Sequence, residues 1–271
     1  MADYFGFAQE LLSKGRAREG DPYATAEVYD LLVREGKDDQ FYVQFAKERG
    51  GRVLDLACGS GRLLPGLLEA GLAVTGLDLS GHMLERAKDR PRPKTAQLEL
   101  VQGDMRSFSF PEPFDTIIIP YCSLMYMYSD LDRLAVFQNC YAHLKGGGYL
   151  VFDFLAGEVE LGEGWPQLAM QGMHPFSEDI LLSVVQIKGL SGDLRLLNQI
   201  DYTYPKEQGV VDITVYSSKE AVVAPERITD LLLGAGFAVQ GVYNNSSLLP
   251  YDGGEECLIV ARKPEENSQT S

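Results

Sequence analysis

The chain has 271 residues, of which 45% are hydrophobic and 23% charged, the balance of an ordinary globular protein rather than a disordered or fibrous one. Its 39 acidic and 24 basic residues give a formal net charge of -15, which argues against nucleic acid as a partner. The longest nearly apolar run, residues 116–127, is shorter than the roughly 18 residues of a spanning helix. The N-terminus does not resemble an export signal, so we expect a cytoplasmic protein without a membrane partner.

The cysteines and histidines do not form a metal-binding pattern. The four cysteines have no CxxC spacing, and the three histidines lie far from one another in the sequence. These spacings predict no metal site and favour buried thiols in a reducing compartment.

Residues 5–50 have helix-like apolar spacing, in two groups separated by the polar turn REGKDDQ. From 52 to 155 short apolar runs alternate with helical stretches, which is typical of a parallel sheet with helices on both faces. Five strands are expected in this region, at 52–57, 73–79, 98–104, 114–121 and 148–155.

The intervening helices are indicated by their ends. The stretch 62–71 places leucines on one side and ends at Gly71, with Pro65 in its first turn. The next two helices are expected to begin after Ser80 and Ser129, because serine side chains cap helix N-termini.

Beyond residue 156 the pattern changes to strands joined by short polar turns, at 179–189, 193–205 and 210–217, followed by a helix at 225–237 and two more strands. The sequence therefore predicts an α/β fold: a Rossmann-like, doubly wound, mostly parallel seven-stranded sheet with an antiparallel β insertion after the fifth strand. The expected segments are a helical cap (1–50), the Rossmann-like domain (51–156 and 223–264), the insertion (157–222) and a disordered tail (265–271).

Residues 53–62, VLDLACGSGR, run from a predicted strand into a turn with Gly59 and Gly61. Ligands of such sheets bind at the carboxyl ends of the strands, and glycines let a ligand lie against the backbone. Asp78 ends the next strand, where a carboxylate can accept both hydroxyls of a ribose. Taken alone, the glycines also fit a tight turn and Asp78 a helix cap, but together they indicate a bound nucleoside.

NAD-binding enzymes use a similar loop and a similar acidic residue. Two features argue against NAD: Leu64 replaces the third glycine of the GxGxxG pattern, and Asp55 precedes the turn, where its charge suits the ammonium group of an amino acid better than a pyrophosphate. A nucleoside joined to an amino acid fits this loop better.

Five motifs occur in an order that resembles the class I S-adenosylmethionine-dependent methyltransferases: DLACGSG, GLDLS, QGDM, FDTIIIPYCS and HLKGGG. The resemblance covers about 30–155 and 223–263. The last motif departs from the family in lacking a proline before its glycines.

By this resemblance the cofactor is S-adenosyl-L-methionine and the product S-adenosyl-L-homocysteine. The motif residues are then expected to share out the cofactor: Asp55, Ala57, Gly59 and Gly61 at the methionine part, Asp78 at the ribose, and Leu79, Met83, Gly103, Asp104 and Met105 at the adenine. From the residues alone, Asp104 also fits a turn cap and Met83 also fits the core.

The N-terminal stretch YATAEVYDLL and the insertion resemble more narrowly the N-methyltransferases of nucleotide-linked amino sugars. That likeness implies that Tyr23 and Tyr29 contact the cofactor and that the insertion shapes the acceptor site. We expect the end of the fourth strand to contribute Pro120 to the cofactor site, and Tyr121 and Ser123 to the substrate site. Methyl transfer needs chiefly correct placement of two reactants, so no catalytic residue is assigned.

The expected function is methylation of a small molecule, most simply at nitrogen, because an amine needs only a free lone pair. An NAD-dependent oxidoreductase and a non-catalytic cofactor-binding protein are the alternatives. The acceptor and the oligomeric state stay open, with a homodimer as one option.

Overall fold

The computed structural model describes residues 4–21, 38–173, 177–207 and 209–265. These fall into two compact units. Residues 26–157 and 223–271 bound the first, called here the parallel-sheet unit, and residues 1–25 and 158–222 bound the second, the antiparallel-sheet unit. The expected sites on Tyr23 and Tyr29 lie outside the described residues, as does the tail from 266 onward.

The parallel-sheet unit contains seven strands and five α-helices within the described ranges. In chain order its elements are α2 (Asp39–Arg49), β2 (Arg52–Leu56), α3 (Leu64–Glu69), β3 (Ala73–Asp78), α4 (Gly81–Lys88), β4 (Gln97–Gln102), β5 (Phe114–Ile119), a 3-10 turn (Ser123–Tyr126), α5 (Asp130–His143), β6 (Leu144–Leu155), α6 (Pro225–Gly234), β12 (Ala238–Tyr243) and β13 (Glu256–Arg262).

The strand order is β12-β13-β6-β5-β2-β3-β4. Strands β2 to β6 pair in parallel, and β13 pairs antiparallel with both β6 and β12. The chain winds from β2 towards β4 and then returns to β5 on the other side of β2. This reversal confirms the expected doubly wound α/β fold with the insertion after its fifth strand, and it places a crevice between the carboxyl ends of β2 and β5.

Helix starts in this unit follow the serine caps expected from the sequence. The Ser80 side chain accepts a hydrogen bond from the Met83 backbone N–H, and that of Ser129 accepts from the Asp132 N–H. Each bond satisfies one of the N–H groups that a helix leaves unpaired at its first turn, which fixes where α4 and α5 begin.

The core of the parallel-sheet unit includes α2 and α3 packed with the sheet. Tyr42, Ala46, Leu64, Leu67 and Ile118 belong to one cluster and are 0% exposed. Burial of such side chains stabilises the unit by about 1.5–3 kcal/mol each for the larger ones.

The antiparallel-sheet unit contains α1 (Gly6–Ser13), β1 (Arg18–Glu19), β7 (Gly162–Glu163), β8 (Gln167–Met173), β9 (Ile180–Gly189), β10 (Leu194–Tyr204) and β11 (Asp212–Ala221). Strands β9, β10 and β11 form the two expected antiparallel hairpins. Ala8 of α1 packs with Ile200 and Val215 of this sheet.

The sequence predicts a helical cap over residues 1–50, with two helix-like groups, and the described part of this segment also contains a short strand. Arg18–Glu19 is a strand that pairs in parallel with β11, and α1 contacts β10. Residues 4–21 therefore belong with the antiparallel sheet, whereas α2 belongs with the parallel one. Within the described ranges, no helix combines the length and the apolar character needed to cross a membrane.

Candidate functional site

A pocket lies where β2 and β5 end, at the point where the winding of the sheet reverses. Its walls come from the loop after β2 and the loop after β5. The lining residues are Asp55, Ala57, Cys58, Gly59, Ser60, Arg62, Leu63, Pro120, Tyr121 and Ser123. Six of the residues expected from the sequence are thus brought together here, namely Asp55, Ala57, Gly59, Pro120, Tyr121 and Ser123.

The loop after β2 has an unusual backbone. Ala57, Gly59 and Gly61 have φ angles of 56°, 56° and 80°, in the left-handed region that glycine adopts without strain. Asp78 fixes this loop with its side chain: one carboxylate oxygen accepts the Gly59 N–H at 2.8 Å, and the other accepts the Ser80 N–H at 2.8 Å. Asp78 therefore couples the end of β3 to the glycine loop.

Gly59 and Gly61 face different surroundings. A β-carbon on Gly59 would meet no atom of the described chain within 4 Å, so this glycine borders open space. A β-carbon on Gly61 would lie 2.6 Å from Leu64 Cδ1 and 3.0 Å from Ala87 Cβ. Gly59 leaves room for a ligand, whereas Gly61 lets α3 and α4 pack closely.

Asp55 is the most unusual group in the pocket. Its side chain is 1% exposed, and its Oδ1 atom is buried without a hydrogen-bond partner among the described residues. Burial, followed by the nearby charge of Asp78, raises the pKa of this carboxyl to about 8. A buried carboxylate oxygen without a donor is costly, so this position suits a ligand that carries a cationic donor.

Asp78 shares part of this electrostatic environment. Burial raises the pKa of its carboxyl, while the hydrogen bonds from the Ser80 and Gly59 N–H groups lower it. Besides the Gly59 and Ser80 N–H groups, a hydrogen bond from the Leu79 N–H also lowers this pKa. Because a carboxylate offers about four lone-pair sites, Asp78 keeps capacity for a further donor.

The residues expected at the adenine have varied surroundings. Leu79 is 71% exposed, whereas Met83 is 2% exposed and belongs to the interior. The Gly103 N–H donates to the Asp78 carbonyl at 3.0 Å. Met105 is half-buried. Their roles at an adenine ring stay predictions.

The Asp104 carboxylate already accepts hydrogen bonds from a neighbouring arginine. Both of its oxygens accept from the Arg106 guanidinium, at 2.6–3.1 Å, and Arg106 also donates to Asp132 at 2.7 Å. The Arg106 bonds hold the pKa of the Asp104 carboxyl below its ordinary value. An adenine amine would therefore have to share this carboxylate with Arg106.

The second wall of the pocket also has a strained backbone. Tyr121 and Cys122 have φ angles of 58° and 52°, which are uncommon for residues other than glycine. The Ser123 hydroxyl donates to the Pro120 carbonyl at 2.7 Å, so its proton is used within the loop. Tyr121 is 46% exposed.

The sequence reasoning did not single out a set of residues that supports both walls: Asp38, Asp39, Tyr42, Arg62 and Asp153. Arg62 donates to Asp38 at 3.1 and 3.2 Å and to Asp39, and its guanidinium lies 5.4 Å from the centre of the Tyr121 ring. The partly buried Asp153 carboxylate accepts hydrogen bonds from the Tyr42 hydroxyl and from the backbone N–H groups of Tyr121 and Cys122 in the loop after β5. The only local signal was an acidic residue inside the apolar strand FDFL.

A larger cleft of about 730 Å³ lies at the amino ends of β5 and β6. Two of its lysines are already bonded: Lys145 to Asp115 at 2.8 and 2.9 Å, and Lys263 to the carbonyls of Tyr141 and Leu144. Because parallel sheets bind ligands at the carboxyl ends of their strands, the pocket beside Asp55 is the better candidate.

Parts of the chain are similar to known proteins. Residues 53–148 match the family described as "Methyltransferase domain". The chain is 37% identical over 131 residues to a putative methyltransferase, YqeM, of Bacillus subtilis (strain 168), a match that covers 47% of this chain and 53% of that protein. The chain thus spans about half the length of the first curated relatives that it matches.

Two further similarities cover more of the chain. A cypemycin N-terminal methyltransferase of Streptomyces sp is 25% identical over 243 residues, which is 88% of this chain and 95% of that protein. The crystal structure of the sugar N-methyltransferase KedS8 from Streptoalloteichus sp ATCC 53650 superposes with a TM-score of 0.67 at 19% identity, covering 98% of this chain and 96% of that one, which shows a shared fold. Residues 53–148 of this chain therefore match a methyltransferase domain, and the chain shares its fold with a solved sugar N-methyltransferase.

Proposed function

We propose that this protein binds S-adenosyl-L-methionine in the pocket beside Asp55 and transfers its methyl group to a small molecule, at nitrogen. The observation that carries the proposal is the buried Asp55 oxygen, which has no hydrogen-bond partner among the described residues and lies next to the open space over Gly59. The cofactor has an ammonium group that would supply the missing donor. Bound there, the cofactor provides an electrophilic methyl group on a cationic sulfur.

The described residues fit this cofactor at two points. Asp55 would hold the ammonium of the methionine part, which returns the carboxylate to its charged form. Asp78 would hold the ribose, because its carboxylate keeps capacity for a further donor beside the glycine loop. Gly59 would let the cofactor approach the backbone closely.

The same features disfavour NAD. The carboxylate of Asp55 would lie near a pyrophosphate and repel it. Leu64, in place of the third glycine, is 0% exposed and packs in the core of the parallel-sheet unit. A dinucleotide fingerprint instead uses a glycine there for close helix packing.

A nitrogen acceptor is supported by what the pocket contains and by the relatives. None of the described residues lining the pocket is a histidine, and an amine with a free lone pair needs no base held against it. The cypemycin relative is described as an N-terminal methyltransferase and the KedS8 structure as a sugar N-methyltransferase. The second description names methylation at nitrogen, and the first names a chain N-terminus as the place of methylation.

The proposed function is tested by a ligand screen and a turnover assay. S-adenosylhomocysteine at a hundred times its dissociation constant should stabilise the protein by about 2.7 kcal/mol and raise the melting temperature by several degrees, whereas NAD should not. Radiolabelled S-adenosylmethionine incubated with a panel of amines, amino sugars, sugars and phenols should then label an amine. Stabilisation by NAD alone would contradict the cofactor assignment, and binding without labelling of any acceptor would favour a non-catalytic binding protein.

The two glycines of the loop should respond differently to alanine. In Gly59→Ala the added methyl group enters the open space, so S-adenosylhomocysteine binding should weaken strongly while the unliganded protein loses only about 1–2 kcal/mol from its left-handed backbone. In Gly61→Ala the methyl group also meets Leu64 and Ala87, which adds an overpacking cost of about 1–3 kcal/mol. Thermal unfolding and isothermal titration calorimetry of both variants check this contrast. Equal effects of the two substitutions on both measurements would refute it.

A further inference from the structure

The loop after β5 is held in its strained conformation by one partly buried carboxylate, that of Asp153. Asp153 on β6 accepts the Tyr121 N–H at 3.0 Å through Oδ1 and the Cys122 N–H at 2.6 Å through Oδ2. Its Oδ1 also accepts the Tyr42 hydroxyl from α2. Three donors from two other elements thus converge on Asp153.

The two backbone hydrogen bonds to Asp153 come from the two residues of this loop whose backbone is strained. Tyr121 and Cys122 both have left-handed φ angles, which residues with a β-carbon rarely adopt unless their surroundings impose them. The bonded N–H groups belong to these same residues. Hydrogen bonds to a carboxylate are stronger than those to a neutral oxygen, so Asp153 can offset the backbone strain.

The loop that Asp153 holds forms the pocket wall opposite the glycine loop. Pro120, Tyr121 and Ser123 line the same pocket as Asp55 and Gly59. The residues expected at the adenine follow β3 and β4 instead, on the other side of β2. A change in the loop after β5 should therefore alter the methionine end of the site and spare the nucleoside end.

Burial sets the chemistry of this anchor. Phe152 and Phe154, the neighbours of Asp153 on β6, are 0% and 2% exposed. Burial raises the pKa of the Asp153 carboxyl, and the bonds from Tyr42 and Cys122 oppose that rise. The donors that hold the loop are thus the groups that favour the charged carboxylate.

We propose that Asp153, supported by Tyr42, is a positioning residue for methyl transfer, which holds Tyr121 and Cys122 in the conformation that forms the methionine end of the cofactor pocket. This inference rests on the proposed function. It assigns Asp153 no contact with the reacting atoms. Without the anchor the loop occupies its binding-competent conformation only part of the time, and the apparent affinity falls by that fraction.

Asp153→Asn is the main test. Asparagine keeps the shape of the side chain, but its NH₂ group faces at least one of the N–H or O–H donors and cannot accept a hydrogen bond from it. Two ligands are titrated by calorimetry: S-adenosylhomocysteine, and methylthioadenosine, which has the nucleoside and sulfur but no amino-acid part. We expect the affinity for S-adenosylhomocysteine to fall about ten-fold or more and that for methylthioadenosine to stay unchanged. Asp230→Asn, on the exposed surface of α6, is the matched control and should change neither affinity.

The ratio of the two affinities separates a positioning role from a merely structural one. A loss of general stability lowers the melting temperature without changing this ratio. If Asp153→Asn weakens both ligands equally, or neither, the inference is wrong. If the natural protein binds neither ligand, the proposed function itself fails, and the inference with it.

Tyr42→Phe keeps the test decisive should Asp153→Asn fail to fold. It removes one donor from Oδ1 and leaves both backbone hydrogen bonds in place. The affinity ratio should then fall by a smaller factor, and hydrogen exchange of the Tyr121 and Cys122 amides should become faster. An unchanged ratio together with unchanged exchange would overturn the inference.

Discussion

Asp55→Asn is expected to stabilise the unliganded protein at pH 8 and to abolish its binding of S-adenosylhomocysteine. In the folded chain this carboxyl is buried, has an oxygen to which none of the described residues donates, and has a pKa that burial raises to about 8. The unfolded chain ionises it near pH 4. Folding at pH 8 therefore removes a charge from water without a compensating partner, and asparagine avoids this cost.

The sign of the pH dependence follows from the raised pKa. Because the folded form binds a proton that the unfolded form has released, the contribution of Asp55 to stability is fully present below about pH 4 and is lost as the pH rises to about 8. The melting temperature of Asp55→Asn should thus exceed that of the natural protein by several degrees at pH 8, and the difference should shrink towards pH 5. Thermal unfolding across this range measures it.

Binding should change in the opposite direction. Removing one partner of a buried charge pair typically costs 2–5 kcal/mol, so the affinity for S-adenosylhomocysteine should fall about 100-fold or more. In the natural protein that affinity should rise by up to about ten-fold per pH unit between pH 6 and 8, because the ligand ammonium favours the ionised carboxylate and a proton is released on binding. Calorimetry in two buffers of different ionisation enthalpy counts that proton.

Asp230→Asn, on the exposed surface of α6, is again the control and should reproduce the natural protein in both measurements. If Asp55→Asn bound S-adenosylhomocysteine with the natural affinity, the assignment of Asp55 to the ammonium group would be wrong. If Asp55→Asn bound the ligand poorly but was less stable than the natural protein at pH 8, burial of the Asp55 carboxylate would not be the destabilising feature that the structure indicates. A variant that is more stable at pH 8 but does not bind S-adenosylhomocysteine is the outcome expected if the buried Asp55 carboxylate both destabilises the unliganded protein and holds the ligand.

The parallel sheet was predictable from the sequence because its signals are local. Each of its strands is a short apolar run, and Ser80 and Ser129 mark helix starts through bonds to residues three positions away. Strand β8 was not predicted, since Gln167–Met173 is exposed along most of its length and carries no alternating apolar pattern. Strand β1 has two residues and exists only through its pairing with β11.

The residues of the site also differ in whether the sequence carries a local signal for them. Asp55, Gly59 and Gly61 lie within seven residues of sequence, and together with Asp78 at the end of the next strand they indicate a ligand. The anchor of the opposite wall joins Tyr42 to Asp153 across 111 residues of sequence, and Arg62 reaches Asp38 across 24. Such pairs are created by the packing of α2 on the sheet, and a single sequence holds no local signal for them. The hydrogen bond from Arg106 to Asp104 joins residues only two positions apart, so the sequence could have indicated it. It shows that a motif residue can already have a partner in its own turn.

Asp78→Ala is expected to have the second large effect, because this side chain serves both the loop and the ligand. The substitution removes the acceptors of the Gly59 and Ser80 N–H groups, which should lower the melting temperature by several degrees at about 1–3 kcal/mol for each unsatisfied donor. It also removes the acceptor proposed for the ribose, so binding of S-adenosylhomocysteine should weaken about 100-fold or more.

A second ligand separates these two contributions of Asp78. In the natural protein, 2′-deoxy-S-adenosylhomocysteine should bind more weakly than the parent compound, since one hydroxyl donor to the carboxylate is gone. In Asp78→Ala the two ligands should bind equally, because the partner of that hydroxyl is already absent, and this loss of discrimination is the coupling that a double-mutant cycle measures. If Asp78→Ala still discriminated between the two ligands as the natural protein does, Asp78 would be a brace for the glycine loop alone, and the ribose would have to find its acceptor elsewhere at the carboxyl end of the sheet.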